Sequence, residues 1–248
     1  MIEIKSEQEI NLIRQAGRVV ARVMEQLKKE VKPGVNTQEL DKIAASLIIS
    51  QGAVSAFYGY QGFPGNICTS INEEVVHGIP GWRVLKEGDI ISLDIGVKLE
   101  GYYADSTITL PVGKISSLAK KLLQVTEQAL KLGIQQAISN NHLYDISWAV
   151  QNYVETQGFN VVRDFVGHGI GSKMHEEPQI PNFGQVHKGP LLKKGMVLAI
   201  EPMVNAGSYQ VEITSNGWTA VTKDGSLSAH FEHTVVVDDR VPEVLTQI

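Results

Sequence analysis

The 248-residue sequence predicts an α+β fold of two pseudo-twofold-related halves, with a curved, mainly antiparallel sheet covered by helices. Three observations point there. First, the chain repeats itself: "LKEGDIISLD" (85–94) aligns with "LKKGMVLAIE" (192–201) at an offset of 107 residues, and a shared Gln-Gly recurs at an offset of 106. Second, each copy runs helix, helix, strand, strand. Third, "DSTITL" (105–110) aligns with "EHTVVV" (232–237) at an offset of 127, so about twenty extra residues lie between 205 and 231. Two copies at this period are too few for a solenoid and fit two packed halves, roughly 1–115 and 116–248.

Each element has its own signal. Apolar residues at three- and four-residue spacing predict helices over 6–30, 37–51, 117–138 and 143–157. Ser6 with Glu9 has the capping-box spacing, and Gly52 and Gly158 end their helices. Strands 89–97, 102–110, 196–204 and 231–238 are rich in Ile, Val, Leu and Thr. A hairpin centred on Leu99 and Glu100 would set Asp105 opposite Asp94. No linker or low-complexity segment divides the chain, which reads as a single domain over 1–248.

Composition excludes several function classes. Lys+Arg 22 against Asp+Glu 27 gives a net charge of −5 without a basic run, which argues against DNA or RNA as partner. Cys68 is the single cysteine, so no internal disulfide framework exists. The N-terminal "MIEIKSEQEI" lacks the apolar core of a signal peptide, and no uncharged apolar run approaches the roughly 18 residues of a membrane span. A cytoplasmic protein without membrane attachment is expected.

The repeat aligns Asp94 with Glu201 and Asp105 with Glu232. Side chains alternate along strands, so packing the halves face to face would make the four carboxylates converge. Converging anions repel unless cations lie between them, and multivalent metal is the simplest answer. A transition ion would add an imidazole. His168 in "FVGHGIG" is the best candidate, because the flanking glycines let the backbone turn tightly and approach another segment. Taken alone, such a histidine is an ordinary turn residue; the acids give it weight.

Seven motifs carry a resemblance: "VVHGIPG" (75–81), "LDIG" (93–96), "YYADST" (102–107), "GHGIG" (167–171), "HEEP" (175–178), "AIEPM" (199–203) and "HFEHT" (230–234). In this order, over essentially the whole chain, they resemble the type I methionine aminopeptidases, which have the pita-bread aminopeptidase/creatinase fold. The resemblance implies two divalent cations (Co, Mn, Fe(II) or Zn) held by Asp94, Asp105, His168, Glu201 and Glu232. Asp105 and Glu232 would bridge both ions, Asp94 would complete one, and His168 with Glu201 the other. A shared water of lowered pKa would supply hydroxide to hydrolyse the peptide bond after an N-terminal methionine.

On the same resemblance Glu201 is the proton shuttle, His175 donates to the oxyanion and His77 steadies the leaving group. Tyr60, Phe63, Cys68, Met174 and Trp218 would wall the methionine slot, with Met174 standing where the family often has Phe. The structural reading of each aromatic, as plain core, remains open beside this. "HEEP" lacks the second histidine of a zincin helix. His230 departs from the family, which commonly has Gln there; a neutral imidazole would either tune the metal site or, the favoured expectation, hydrogen-bond behind the metal ligands, while His233 should point away from them. The implied partners are nascent polypeptide N-termini, with transient ribosome association and a monomeric enzyme. A small second residue would be preferred, so the chain's own Met1, followed by β-branched Ile2, should be retained.

Two other readings compete. Cleavage of X-Pro peptides would keep the fold, but such relatives usually add an N-terminal domain of which the sequence has no trace. A non-catalytic binding module would be expected to lose some of the five ligands, all of which are present.

Overall fold

The computed structural model describes residues 2–248, so the fate of Met1 lies outside it. Helix α1 (Glu7–Glu30) begins as its sequence predicts. The Ser6 side chain accepts from the Glu9 amide, and the Glu9 carboxylate accepts from the Ser6 amide, forming a capping box. Glu7 and Glu9 in the first turn and Lys28 and Lys29 in the last both complement the helix dipole. The buried stripe that includes Ile13, Val20, Val23 and Leu27 packs on the two long strands of the first half. α2 (Thr37–Ser50) is followed by Gly52 at φ +73°, and α4 (Leu143–Thr156) by Gly158 at φ +85°, conformations that glycine adopts freely. α3 (Ser117–Gln135) stops short of the expected residue 138, because Gln136 and Ala137 bond back to Gly133 and Ile134 in tighter turns.

Strands Ile90–Leu99 and Tyr102–Pro111 form the first hairpin. Its register corrects the expected one: Asp94 pairs with Thr107, and Asp105 with Gly96. The turn is centred on Glu100 and Gly101, both at positive φ, as a two-residue hairpin loop requires. A shift of two residues preserves the face, so Asp94 and Asp105 remain on one side as diagonal neighbours. Cys68–Ile71 pairs with the other edge of Ile90–Leu99.

The second half carries a five-stranded antiparallel sheet in the order Glu243–Val244, His233–Val236, Val197–Ile200, Val166–Gly169, Glu176–Pro181. Here one of the two expected strands, 196–204, is broken, and the other, 231–238, is shortened to His233–Val236. Val197–Ile200 stops before Glu201 and Pro202 and resumes as Met203–Asn205, since Pro202 has no amide to donate. Ser228–His230 and His233–Val236 are likewise separated at Phe231 and Glu232. Two of the four acids thus sit in breaks. The extra residues of this half form the hairpin Val211–Ile213/Ala220–Thr222, which reaches across to pair with Glu74–Val76 of the first half.

A row of hydroxyls joins the two halves. Thr107 donates to a Glu232 carboxylate oxygen at 2.8 Å, and Ser106 to the Glu232 carbonyl at 2.6 Å. Thr234 accepts from the Asp105 amide and donates to the Asp105 carbonyl, and Thr109 does the same for His230. Among the described residues no helix is long and apolar enough to cross a membrane.

Candidate metal centre and substrate slot

Five elements deliver the donor atoms. Asp94 and Asp105 stand on adjacent strands of the first hairpin, His168 within Val166–Gly169, and Glu201 and Glu232 in the two strand breaks. The glycines around His168 are needed for close approach: a Cβ at Gly167 would meet the Ala199 carbonyl, and one at Gly169 the Glu177 carbonyl. His168 Nδ1 lies 2.9 Å from the Gly169 carbonyl and must donate to it, so Nε2 presents its lone pair. That Nε2 is 3.6 Å from Glu201 Oε1, and donor atoms of Asp105, His168 and Glu232 all lie within 4.8 Å of one another.

The electrostatics are those of a cluster lacking counter-charge. Burial pushes Asp94 up to about 6. Asp105 is raised well above the ordinary carboxylate range by burial and by the charges of Glu232, Asp94 and Glu201. Glu201 and Glu232 are raised well above theirs, by burial first and then by neighbouring acids. Burial lowers His168 to about 3, with nearby His175 adding to the effect. Asp94 Oδ1 and Asp105 Oδ1 are buried without a hydrogen-bond partner among the described residues. Orphaned carboxylate oxygens facing an imidazole lone pair fit divalent metal, which would satisfy all of them together.

The acids line a cavity of about 290 Å³. Tyr60, Phe63, Cys68, Met174 and Trp218 all line it, as do His77 and His175. Phe63 and Trp218 meet edge to face at 5.2 Å, so the inserted hairpin of the second half closes a wall begun by the first. The Tyr60 hydroxyl is 2.8 Å from His175 Nδ1, and the His175 ring stands 4.4 Å from that of His168. His77, at φ +59°, packs edge-on against Phe165, and burial lowers it to about 4. Phe57 and Phe165 also line the cavity; the sequence offered only a weak hint of Phe165, next to the "GHGIG" motif.

His230 differs from expectation. Its Nε2 is buried without a hydrogen-bond partner among the described residues, and Glu201 Oε2 lies 3.6 Å away, too far for a hydrogen bond. The imidazole therefore faces the acids themselves. His233 does turn away, its Nδ1 lying 2.8 Å from the Thr246 hydroxyl. Glu176 of "HEEP" is paired with buried Lys5 at 2.6 Å and is occupied structurally.

The profile of metallopeptidase family M24 matches residues 11–239. The chain is 56% identical to methionine aminopeptidase 1 of Bacillus subtilis, over 248 residues and 100% of both sequences. It superposes on the crystal structure of a methionine aminopeptidase from Thermotoga maritima with a TM-score of 0.99 at 42% identity, covering 100% of both chains. A Xaa-Pro dipeptidase of Bacillus anthracis shares the fold, with a TM-score of 0.81 and 22% identity; the chain covers 62% of that one.

Proposed function

The chain belongs to metallopeptidase family M24, and on that premise we propose that it removes the N-terminal methionine from polypeptides. The observation that carries this reading is that five metal-type donors line the same cavity as the aromatic side chains of Tyr60, Phe63 and Trp218. Asp94, Asp105, His168, Glu201 and Glu232 would hold two divalent cations. Bound there, the cations would supply a nucleophile from water near neutral pH and polarise the scissile carbonyl.

The remaining steps fall to side chains. Glu201 takes the proton of the attacking water and passes it to the departing amine, acting first as base and then as acid. If the Tyr60 hydroxyl, 2.8 Å away, donates to Nδ1, the His175 proton sits on Nε2, from which it can be donated to the developing oxyanion. His77 contacts the peptide beyond the scissile bond. Its rim leaves room there for Gly, Ala or Ser, whereas a β-branched residue cannot fold away. On this reading residues 1–248 act as one catalytic domain, a monomer working in the cytoplasm on nascent chains in transient contact with the ribosome.

Peptide series test the reading. Each buried methylene contributes about 0.8 kcal/mol, so Met-Gly peptides should exceed Ala-Gly peptides by orders of magnitude in kcat/KM, with Lys-Gly peptides rejected. Comparable cleavage of all three would indicate a broad aminopeptidase. His175→Ala should lower kcat far more than it raises KM, and a pure KM effect would remove the oxyanion role.

A further inference from the structure

A second cluster of metal-type donors lies outside the slot. We propose that His142, Asp145 and His187 form a peripheral site for one first-row divalent transition ion, which fastens the loop around residue 187 to the start of α4. The inference stands independently of the catalytic reading. His142 is the N-cap of α4 and Asp145 lies in its first turn, while His187 belongs to the connection between Glu176–Pro181 and Val197–Ile200. One donor atom from each residue lies within 4.8 Å of the other two.

Asp145 is already fixed in place. It is only 8% exposed, and its two oxygens accept the backbone amides of His142 and His187, each at 2.7 Å. The carboxylate therefore holds both histidine-bearing backbones before any ion arrives. His187 Nδ1 is 3.8 Å from Asp145 Oδ1, too far for a hydrogen bond. Two ligands held about 2.1 Å from one tetrahedral ion are separated by roughly 3.4 Å, so a small movement closes the gap. The His187 side chain is 82% exposed and can make that movement. A bare helix N-terminus would repel a cation, but the buried carboxylate reverses the local sign. Two imidazoles and one carboxylate favour Zn, Co or Ni over Mg or Ca.

The site would act on the slot at one remove. Phe183 of the same connection lies against Arg163, 5.5 Å from ring to guanidinium, and the next residues, Asp164 and Phe165, line the slot. An ion at His187 would steady that wall.

The test uses substitutions chosen to preserve the fold. Asn is a good N-cap for position 142. It also tolerates positive φ, which His187 adopts at +60°. Wild-type enzyme and the His142→Asn/His187→Asn variant would be dialysed to equilibrium against Co(II), and bound metal counted. The variant should hold one ion fewer per chain, melt normally without metal and retain turnover. In the wild type alone, added Co(II) should slow tryptic cleavage after the exposed Lys188. His187→Asn alone should weaken binding of that ion by about tenfold or more. Equal metal counts in wild type and double variant, or equal tryptic protection, would overturn the site.

Discussion

Among the described residues a buried carboxylate oxygen of Asp105 has no hydrogen-bond partner, while its backbone is held on both sides by Thr234. Structure around it therefore survives loss of its charge. Asp105→Asn and Glu232→Gln should each abolish turnover while leaving the protein folded. In both, the rise in Tm on adding Mn or Co should largely vanish. Near wild-type activity of either variant in several metals would contradict the shared-ligand assignment.

The same acids set a pH dependence. Without metal their folded pKa values exceed the unfolded ones, near 4. The folded state then binds more protons than the unfolded state, so this contribution to stability is fully present below about pH 4. It is lost as pH rises through the folded values, about 6 for Asp94 and well above the ordinary carboxylate range for the others. Binding of a divalent cation must expel those protons. Calorimetric titration at pH 6 in buffers of different ionisation enthalpy should register release of about one proton or more. Zero release would contradict the protonated cluster.

At the scale of elements, the helices were the most legible part of the sequence because their signals are local. Ser6, Glu9, Gly52 and Gly158 each act within a few residues of themselves. Ser6→Ala should therefore cost about 1 kcal/mol, lowering Tm by roughly 2–4 °C for a chain of this size. An unchanged melt would show the capping box to be redundant. The strands were less legible. Turn geometry moved the first hairpin by two residues, and Pro202 broke a run that hydrophobicity alone reads as continuous. The repeat nevertheless located all four acids, since a two-residue shift preserves the face. What local signals could not reveal was the orphaned Nε2 of His230, or the meeting of His142 with His187, which depend on distant segments. Gly169→Ala should show how tightly His168 is positioned. Its new Cβ would press on the Glu177 carbonyl, so metal affinity should fall along with stability. Wild-type affinity in that variant would refute the close-approach reading.

Across the whole molecule, the halves meet through hydroxyls as much as through backbone pairing. Thr234 is fully buried and serves both the amide and the carbonyl of Asp105. Thr234→Val keeps the shape but leaves both groups unsatisfied, and should destabilise by about 1–3 kcal/mol. Denaturant unfolding at constant m-value would measure it, and a neutral result would mean the seam is held elsewhere.

That seam also has a kinetic consequence. Its hydrogen bonds join residues 121 to 129 positions apart, whereas the first hairpin closes over a two-residue loop. Such long-range closure is slow, because chain entropy is lost before the contacts repay it. Each half can gain helices and hairpins early, but Asp105 and Glu232 come together only when the seam shuts. Refolding in the presence of Co(II) should thus regain its visible absorption in the slowest phase, after far-ultraviolet dichroism has largely recovered. Simultaneous recovery of the two signals would mean that the halves dock from the outset.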